Sequence, residues 1–138
     1  MAANSMKVKI ISPERVFYEG DVTMLELNTT EGAIGVCPGH IPLTAVVEPG
    51  ILKIHEAGGN VREAALISGF LEILPNQVRV MAEIVEWPEE IDVKRAQEAK
   101  IRSERRLADK NRDHARARAA LRRSLVRMQV ASHRSGNY

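Results

Sequence analysis

Proline and glycine are distributed very unevenly along this chain of 138 residues, and their distribution limits where long helices can form. All six prolines and eight of the nine glycines lie at or before Pro88, and the exception, Gly136, lies in the polar tail. Both residue types are costly inside a helix, since proline lacks a backbone donor and glycine loses much conformational entropy. The sequence therefore predicts two domains, residues 1–88 built from strands and turns and residues 89–138 built from helices.

The charge of the chain divides at nearly the same place. Residues 1–90 carry 6 Lys and Arg against 13 Asp and Glu, a net charge of −7, whereas residues 91–138 carry 14 against 5, a net charge of +9. The two halves together give the whole-chain value of +2. Such an asymmetry predicts an anionic partner for the basic half.

The first domain has the pattern of an antiparallel β-sandwich or barrel. Along residues 77–85, Val78 and Val80 share one face while Met81 falls on the other with the charged residues, which is the period of a half-buried strand. Turn-forming Pro, Gly and Asn separate such stretches, with no intervening helix. The predicted strands are Met6–Ile11, Val22–Leu27, Leu43–Val47, Ile51–His55, Ala64–Ser68, Phe70–Leu74 and Gln77–Val85.

No motif of the first domain has the spacing of a catalytic or metal site. The glycine-rich residues 32–39 match neither G-x-G-x-x-G nor a phosphate loop with G-K-[ST], so they are interpreted as tight turns. Cys37 and His40 lack a metal-ligand spacing, and a single cysteine fits a reducing compartment. Ser68-Gly69 is interpreted as a bend in a strand. We therefore expect a binding scaffold without catalytic or metal-binding residues.

The second domain has the pattern of an antiparallel helical hairpin. Asp92 is a good N-cap for a helix that runs to about Ala108, and the polar residues 109–113 form the turn. The apolar stripes are thin, mostly Ala and Ser, so the hairpin gains little from burial and is expected to be able to open or move. The stripe residues are Ala96, Ala99, Ser103 and Leu107 on the first helix and Ala117, Leu121, Ser124, Leu125 and Met128 on the second.

Arginine spacing on these helices permits two interpretations. Arg95 and Arg102 are seven residues apart and share a face of the first helix, and Arg123 and Arg127 share a face of the second. One interpretation is a solvated basic surface that keeps the chain soluble. The other is a multi-pronged anion site, because guanidinium groups suit phosphates and carboxylates.

Three runs in a fixed order carry a family resemblance: Glu31-Gly-Ala-Ile-Gly-Val-Cys-Pro-Gly-His-Ile-Pro-Leu43, Ser68-Gly-Phe-Leu-Glu-Ile73 and Val78-Arg-Val-Met-Ala82. Together with the order of sandwich and hairpin, they resemble the ε subunit of bacterial F-type ATP synthase, from about Met6 to Met128. The resemblance implies a non-catalytic rotor subunit of the central stalk, bound to the γ subunit and the c-ring. It also implies coupling of proton flow to ATP synthesis, inhibition of ATP hydrolysis by mobile C-terminal helices, and a peripheral location on the cytoplasmic side of the cell membrane.

The resemblance also implies where other subunits bind. The loop that includes Glu31 faces the c-ring, and relatives often carry a second acidic residue where this chain has Ala33. The basic hairpin extends toward an acidic surface of the catalytic β subunits, an attraction that salt would weaken. The implied contact residues are Glu31, His40, Arg116, Arg118 and Arg122.

A finer match lies at the start of the first helix. Ile91-Asp-Val-Lys-Arg-Ala96 resembles the I-D-x-x-R-A motif of family members that hold one ATP, without hydrolysing it, when the hairpin folds against the sandwich. ATP is then a regulatory ligand, and no cofactor is required. The implied ATP-binding residues are Glu86, Ile91, Asp92, Arg95, Ala96, Arg102, Arg123 and Arg127.

The alternative function is a nucleic-acid-binding module that uses the basic hairpin. Against it, the hairpin has no aromatic residue for base stacking before Tyr138. An enzyme would need a paired nucleophile and base, and the sequence offers none. The expected partners are therefore the γ subunit, the c-ring, the α and β subunits and ATP, and not nucleic acid.

Overall fold

A computed structural model describes residues 4–111 and 113–136 of the chain; Tyr138 lies outside them. The contacts among Cα atoms divide the chain into two compact units, Met1–Glu86 and Trp87–Tyr138. The first unit consists of strands and the second of helices. No helix in the described residues combines the length and the apolar character that crossing a membrane requires.

Seven strands build the first unit as a β-sandwich. Their order in the hydrogen-bonded network is β1-β7-β6-β4-β2-β3, with β5 pairing both β2 and β6, and with β1 also pairing β2. All pairs are antiparallel except β1 with β7, which is parallel. The strands are β1 Met6–Ile11, β2 Val16–Thr29, β3 Gly32–Val36, β4 Leu43–Val47, β5 Gly50–Glu56, β6 Val61–Ile73 and β7 Val78–Glu86.

Strand β6 belongs to both sheets of the sandwich. Its first half pairs with β5 and its second half with β4, and β7 runs along most of its length. The bend predicted at Ser68-Gly69 is present as a bulge within one continuous strand, rather than a break between two. Gly69 has a φ of 146°, and a Cβ there would lie 2.1 Å from the Met81 carbonyl oxygen, so the bulge requires glycine.

Two further elements differ from the prediction. Strand β2 begins at Val16, six residues before the predicted start, because Val16 and Tyr18 pair with Ile11 and Ile10 of β1 on either side of a register shift. Part of the glycine-rich run forms β3, an edge strand that pairs with β2, instead of turns alone. An edge strand needs few apolar side chains, since one partner strand and the backbone hydrogen bonds hold it in place.

The core of the sandwich is aliphatic. Its largest fully buried side chains include Ile10, Leu25, Leu52, Leu66 and Leu71. Tyr18 is one of its few aromatic residues, and its hydroxyl donates a hydrogen bond of 2.8 Å to the Glu56 carboxylate. Burial, and then the hydrogen bond to Glu56, raise the pKa of Tyr18 to about 12.

The second unit consists of a short 3₁₀ helix, Pro88–Glu90, followed by α1, Val93–Ala108, and α2, His114–Gly136. As predicted, Asp92 caps α1, because its Oδ1 accepts the backbone N–H of Arg95 at 3.0 Å. The described residues of the predicted turn, 109–111 and 113, separate the helices, and Arg112 lies outside the described residues. Since α2 contacts both α1 and the 3₁₀ helix that precedes α1, it returns antiparallel to α1.

Small side chains form the seam between the two helices. Ala96 and Ser103 of α1 and Ala117 and Ser124 of α2 are buried, in agreement with the predicted stripes. Leu125 was predicted in the stripe but is 45% exposed, because it lies one position past the seam residue Ser124. The half-buried members of the seam are Ala99, Leu107, Leu121 and Met128.

Candidate functional site

The start of α1 holds four of the residues predicted to bind ATP, and two of them also have structural roles. Asp92 is exposed and uses one carboxylate oxygen to cap the helix. Ala96 is buried in the seam, where a larger side chain would separate the helices. Ile91 is half-buried, and Arg95 is exposed. The motif therefore fixes the start of the hairpin and leaves Arg95 and a carboxylate oxygen of Asp92 at its surface.

The four predicted ATP-site arginines hold the same position relative to the seam. Arg95 and Arg102 each come directly before a seam residue of α1, and Arg123 and Arg127 each come directly before a seam residue of α2. One residue is about 100° of helix rotation, so all four lie on the same flank of the seam. In an antiparallel pair of helices, the flank that precedes the seam residues on one helix lies next to the corresponding flank of the other helix. The two flanks therefore share one edge of the hairpin. Helix geometry therefore places the four guanidinium groups along one side of the hairpin.

Two further arginines share this position. Arg106 comes directly before Leu107, and Arg116 directly before Ala117, at the end of the hairpin near the connection. The sequence interpretation did not include Arg106 in any site, although its place before a stripe residue was visible. We call these six residues the arginine edge: Arg95, Arg102, Arg106, Arg116, Arg123 and Arg127.

The residues predicted to contact the β subunits do not share one face. Arg118 and Arg122 are four positions apart and exposed, so they form a common patch. Arg118 follows the seam residue Ala117, which puts this patch on the other flank from the arginine edge. Arg116 belongs to the arginine edge instead. The helix therefore divides the predicted contact set between two surfaces.

Glu86 belongs to the sandwich, unlike the other predicted ATP-site residues. It is the last residue of β7, is half-buried and pairs in register with Ala65 of β6. The remaining seven residues belong to the helical unit.

The predicted c-ring contact Glu31 and the predicted subunit contact His40 lie in loops of the sandwich. Glu31 is exposed in the turn between β2 and β3, where the Thr29 hydroxyl accepts the Glu31 N–H at 3.2 Å and donates to the Gly32 carbonyl at 2.8 Å. His40 lies between β3 and β4, and its Nδ1 donates to the Ile41 carbonyl at 2.8 Å. His40 also lines a cavity of about 310 Å³ together with the connection between β6 and β7.

An exposed apolar row crosses the outer face of the sandwich and was missed by the sequence interpretation. Ile11 of β1 pairs in register with Met81 of β7, Met81 with Phe70 of β6, and Phe70 with Val46 of β4. Residues directly opposite each other in paired strands share a face. Phe70 is 51% exposed, Val46 46% and Met81 40%, and the row lines an open cavity of about 560 Å³. We call Ile11, Met81, Phe70 and Val46 the apolar row.

Polar pairs border the apolar row on both sides. On one side, Arg79 donates from Nη2 to the Glu72 carboxylate at 2.7 Å across β6 and β7. On the other side, the Ser68 hydroxyl donates to the Glu83 carboxylate at 3.1 Å. An apolar centre with a polar rim is the usual composition of a protein-binding surface. The signal in the sequence was the apolar Met81 among the charged residues on the outer face of β7.

The described residues contain no group of three or more His, Cys, Asp and Glu side chains able to hold a metal ion. The surfaces described above are the arginine edge and the patch of Arg118 and Arg122 on the helices and the apolar row on the sandwich. All three are suited to binding.

Two family models match successive parts of the chain. Residues 5–88 match the family model of the ATP synthase Delta/Epsilon chain β-sandwich domain, and residues 89–132 match that of its long α-helix domain. The chain is 40% identical over 130 residues to the ATP synthase epsilon chain of Shouchella clausii, covering 94% of this chain and 97% of the relative. The chain belongs to the ATP synthase epsilon chain family.

A second relative supports the same family, and a solved structure shows the same fold. The epsilon chain of Caldanaerobacter subterraneus is 41% identical over 128 residues, covering 91% of this chain and 92% of the relative. A chain in the cryo-EM structure of Euglena gracilis mitochondrial ATP synthase, OSCP/F1/c-ring, has the same fold, with a TM-score of 0.80 at 20% identity over 94% of this chain and 82% of that one. As an epsilon chain, this protein is a non-catalytic subunit of the central stalk of F-type ATP synthase.

Proposed function

We propose that this epsilon chain is a rotor component that couples proton flow to ATP synthesis, with its sandwich as the docking domain and its helices as the regulatory domain. The division at residues 88 and 89 is part of the proposal, and it rests on the two compact units and on the change in charge. The complex lies at the membrane, so the chain is expected there as a peripheral protein on the cytoplasmic side.

A fragment that ends at Glu90 should fold alone. Loss of its β-sheet circular dichroism would contradict the division.

The observation that carries the docking role is the apolar row. Three large side chains, Met81, Phe70 and Val46, stand at least 40% exposed in adjacent strands, although a soluble surface gains nothing from them. The γ subunit is the proposed occupant, since it is the stalk partner that the family resemblance implies. The c-ring is the proposed partner of the loops at Glu31 and His40.

The docking proposal is tested by placing one charge in the apolar row. Phe70→Glu should weaken binding of the full chain to purified γ subunit at least tenfold, because the carboxylate would be desolvated without a partner. Val61→Glu is the matched control, since Val61 lies in the same strand, outside the row, and is 54% exposed. Equal binding by the two variants would place γ on another surface.

ATP is the proposed regulatory ligand of the helical domain. The arginine edge supports this, because the guanidinium groups of Arg95, Arg102, Arg123 and Arg127 repel one another and phosphates between them would relieve the repulsion. Asp92, Ile91 and Ala96 are the proposed contacts at the adenosine end, and Glu86 is the proposed contact from the sandwich. If ATP binds the paired hairpin alone, it stabilises that form by about 2.7 kcal/mol at a hundredfold excess over Kd.

Calorimetry with two arginine variants tests the ATP site. Arg102→Ala should weaken ATP binding at least tenfold, and the nucleotide should remain intact, as expected for a non-catalytic subunit. Arg105→Ala is the control, because Arg105 is exposed on the same helix but lies away from the seam flank. No heat at millimolar ATP, or equal weakening by both variants, would contradict a specific site.

Inhibition of ATP hydrolysis is the proposed role of the patch formed by Arg118 and Arg122. An acidic surface on the catalytic β subunits would attract this patch in a salt-dependent way. Arg118→Ala with Arg122→Ala should raise ATP hydrolysis by the assembled enzyme, whereas Arg134→Ala on the same helix should not. Arg116 and Arg123 are tested separately because they belong to the arginine edge. Unchanged hydrolysis with normal assembly would exclude an inhibitory role for the patch.

A further inference from the structure

The seam between α1 and α2 contains two deeply buried hydroxyl groups. Ser103 and Ser124 are each 2% exposed, among alanines that already allow the helices to approach closely. Size does not explain them, because alanine would fill the same space with a less polar side chain. A hydroxyl in a buried seam carries a desolvation cost that a methyl group does not.

Both hydroxyls make their hydrogen bonds within their own helix. Ser103 Oγ donates to the Ala99 carbonyl at 2.8 Å, and Ser124 Oγ donates to the Ala120 carbonyl at 3.0 Å. These bonds reach back four residues and do not cross the seam. When the helices separate, each serine keeps its bond and its free lone pairs gain water. Separation therefore breaks no hydrogen bond of these two groups.

The N-terminal ends of both helices are also satisfied locally. Asp92 caps α1, and Asp113 Oδ1 accepts the backbone N–H groups of Ala115 and Arg116 at 3.1 and 3.3 Å at the start of α2. In the connection, Asp109 Oδ1 accepts the Asn111 N–H at 2.9 Å. None of these caps depends on the opposite helix, so both helices keep their first turns when they part.

We propose that the buried hydroxyls of Ser103 and Ser124 set the balance between paired and separated helices, by making the paired state less stable than an all-alanine seam would. This inference rests on the mobile hairpin of the proposed function. It assigns the two serines a conformational role rather than contact with a ligand. Their removal should shift the balance toward pairing without changing either helix.

The balance is measured by the distance between two spin labels on the full chain. The labels replace the exposed Gln97 of α1 and Gln129 of α2, and Cys37→Ser removes the native thiol. In this background, Ser103→Ala with Ser124→Ala should lower the ratio of separated to paired molecules about fivefold. Ser132→Ala is the control for helix propensity, because Ser132 is exposed on α2 and bonds the Gln129 carbonyl.

A variant with the opposite effect shows that the labels detect separation. Ser103→Leu is too large for the seam and should raise the separated fraction. An unchanged or higher ratio in the double alanine variant would overturn the proposal, as would an equal decrease in Ser132→Ala. If the labelled chain with both serines intact contained no separated molecules, the proposal would also be overturned, because there would be no equilibrium for the serines to shift. The measurement needs neither ATP nor other subunits, so its failure is distinguishable from failure of ATP binding or of inhibition.

Discussion

The sandwich and the helical unit of this epsilon chain are each stabilised internally by a different kind of packing. The sandwich buries many large branched aliphatic side chains such as Leu52, Ile54 and Leu71, whereas the helical unit buries alanine and serine together with Val126 and Val130. A buried leucine removes far more apolar area from water than a buried alanine does, so each contact in the sandwich contributes more to stability. The comparison indicates a firmly packed sandwich attached to an element of lower internal stability, which is suited to movement.

The largest expected effect falls on the sandwich, at the bulge of β6. Gly69→Ala should destabilise the first unit by about 3 kcal/mol or more, because the new Cβ would meet the Met81 carbonyl oxygen and the backbone would have to leave its φ of 146°. Urea unfolding measures the loss. Gly58→Ala is the control, since a Cβ at that position would have no other atom within 4 Å, and it should leave stability nearly unchanged. Similar losses in both variants would mean that the bulge tolerates a side chain.

The same substitution in each unit measures the contrast directly. Leu71→Ala should cost the sandwich about 3 kcal/mol, since Leu71 is fully buried and its removal leaves a cavity. Leu121→Ala should cost the helical unit about 1 kcal/mol or less, because Leu121 is half-buried at the seam. Hydrogen exchange resolves the two units in one chain. Equal costs would show that the seam is packed as firmly as the sandwich core.

The helix cap provides a smaller test, confined to the second unit. Asp92→Ala should destabilise the first turn of α1 by about 1 kcal/mol, because the Arg95 N–H loses its side-chain acceptor. Amide exchange at the start of α1 should rise while that of the sandwich strands stays the same. Asp92→Asn keeps an acceptor oxygen and should restore most of the protection. If the asparagine variant behaved like alanine, the charge of Asp92 rather than its acceptor would be what matters.

The smallest effect appears at high pH, in the sandwich alone. The pKa of Tyr18 in the folded chain is about 12, above its usual 10, so the folded state keeps a proton that the unfolded state loses. Stability from this group is complete below pH 10 and declines as pH rises from 10 to 12. Between pH 10 and pH 12, the free energy of unfolding of Tyr18→Phe should therefore fall less steeply than that of the wild-type protein. Parallel curves for the two proteins would show that Tyr18 does not titrate with unfolding.

The helical unit was predictable from sequence because its signals are local. The Asp92 cap, the polar connection and the stripe of Ala and Ser each act within a few residues. The structure contains the cap, the stripe and the described residues of the connection, 109–111 and 113. The sandwich was less predictable where pairing decides the structure. Strand β3 has few apolar residues and forms because β2 pairs with it, and the continuity of β6 through Gly69 depends on β7.

The candidate surfaces show the same limit. Spacing alone showed that Arg95 shares a face with Arg102, and Arg123 with Arg127, but the common edge required knowing that the seam is antiparallel. The apolar row was beyond the sequence interpretation, because its four residues come from four strands. Its first link, Ile11 to Met81, depends on the parallel pairing of β1 with β7, which an antiparallel expectation leaves out.

The continuity of β6 has a mechanical consequence. A partner seated on the apolar row pulls on β1, β7, β6 and β4, and of these β6 also forms hydrogen bonds with β5 in the other sheet. Force applied on one face therefore reaches the opposite sheet along an unbroken backbone, in addition to the side-chain packing between the sheets. Strands that slide past each other must break several hydrogen bonds together, so the ladders of β6 resist shear cooperatively. Under torque, the sandwich should therefore turn as one rigid body. The force carried along β6 changes direction at Gly69, because the strand has its bulge there.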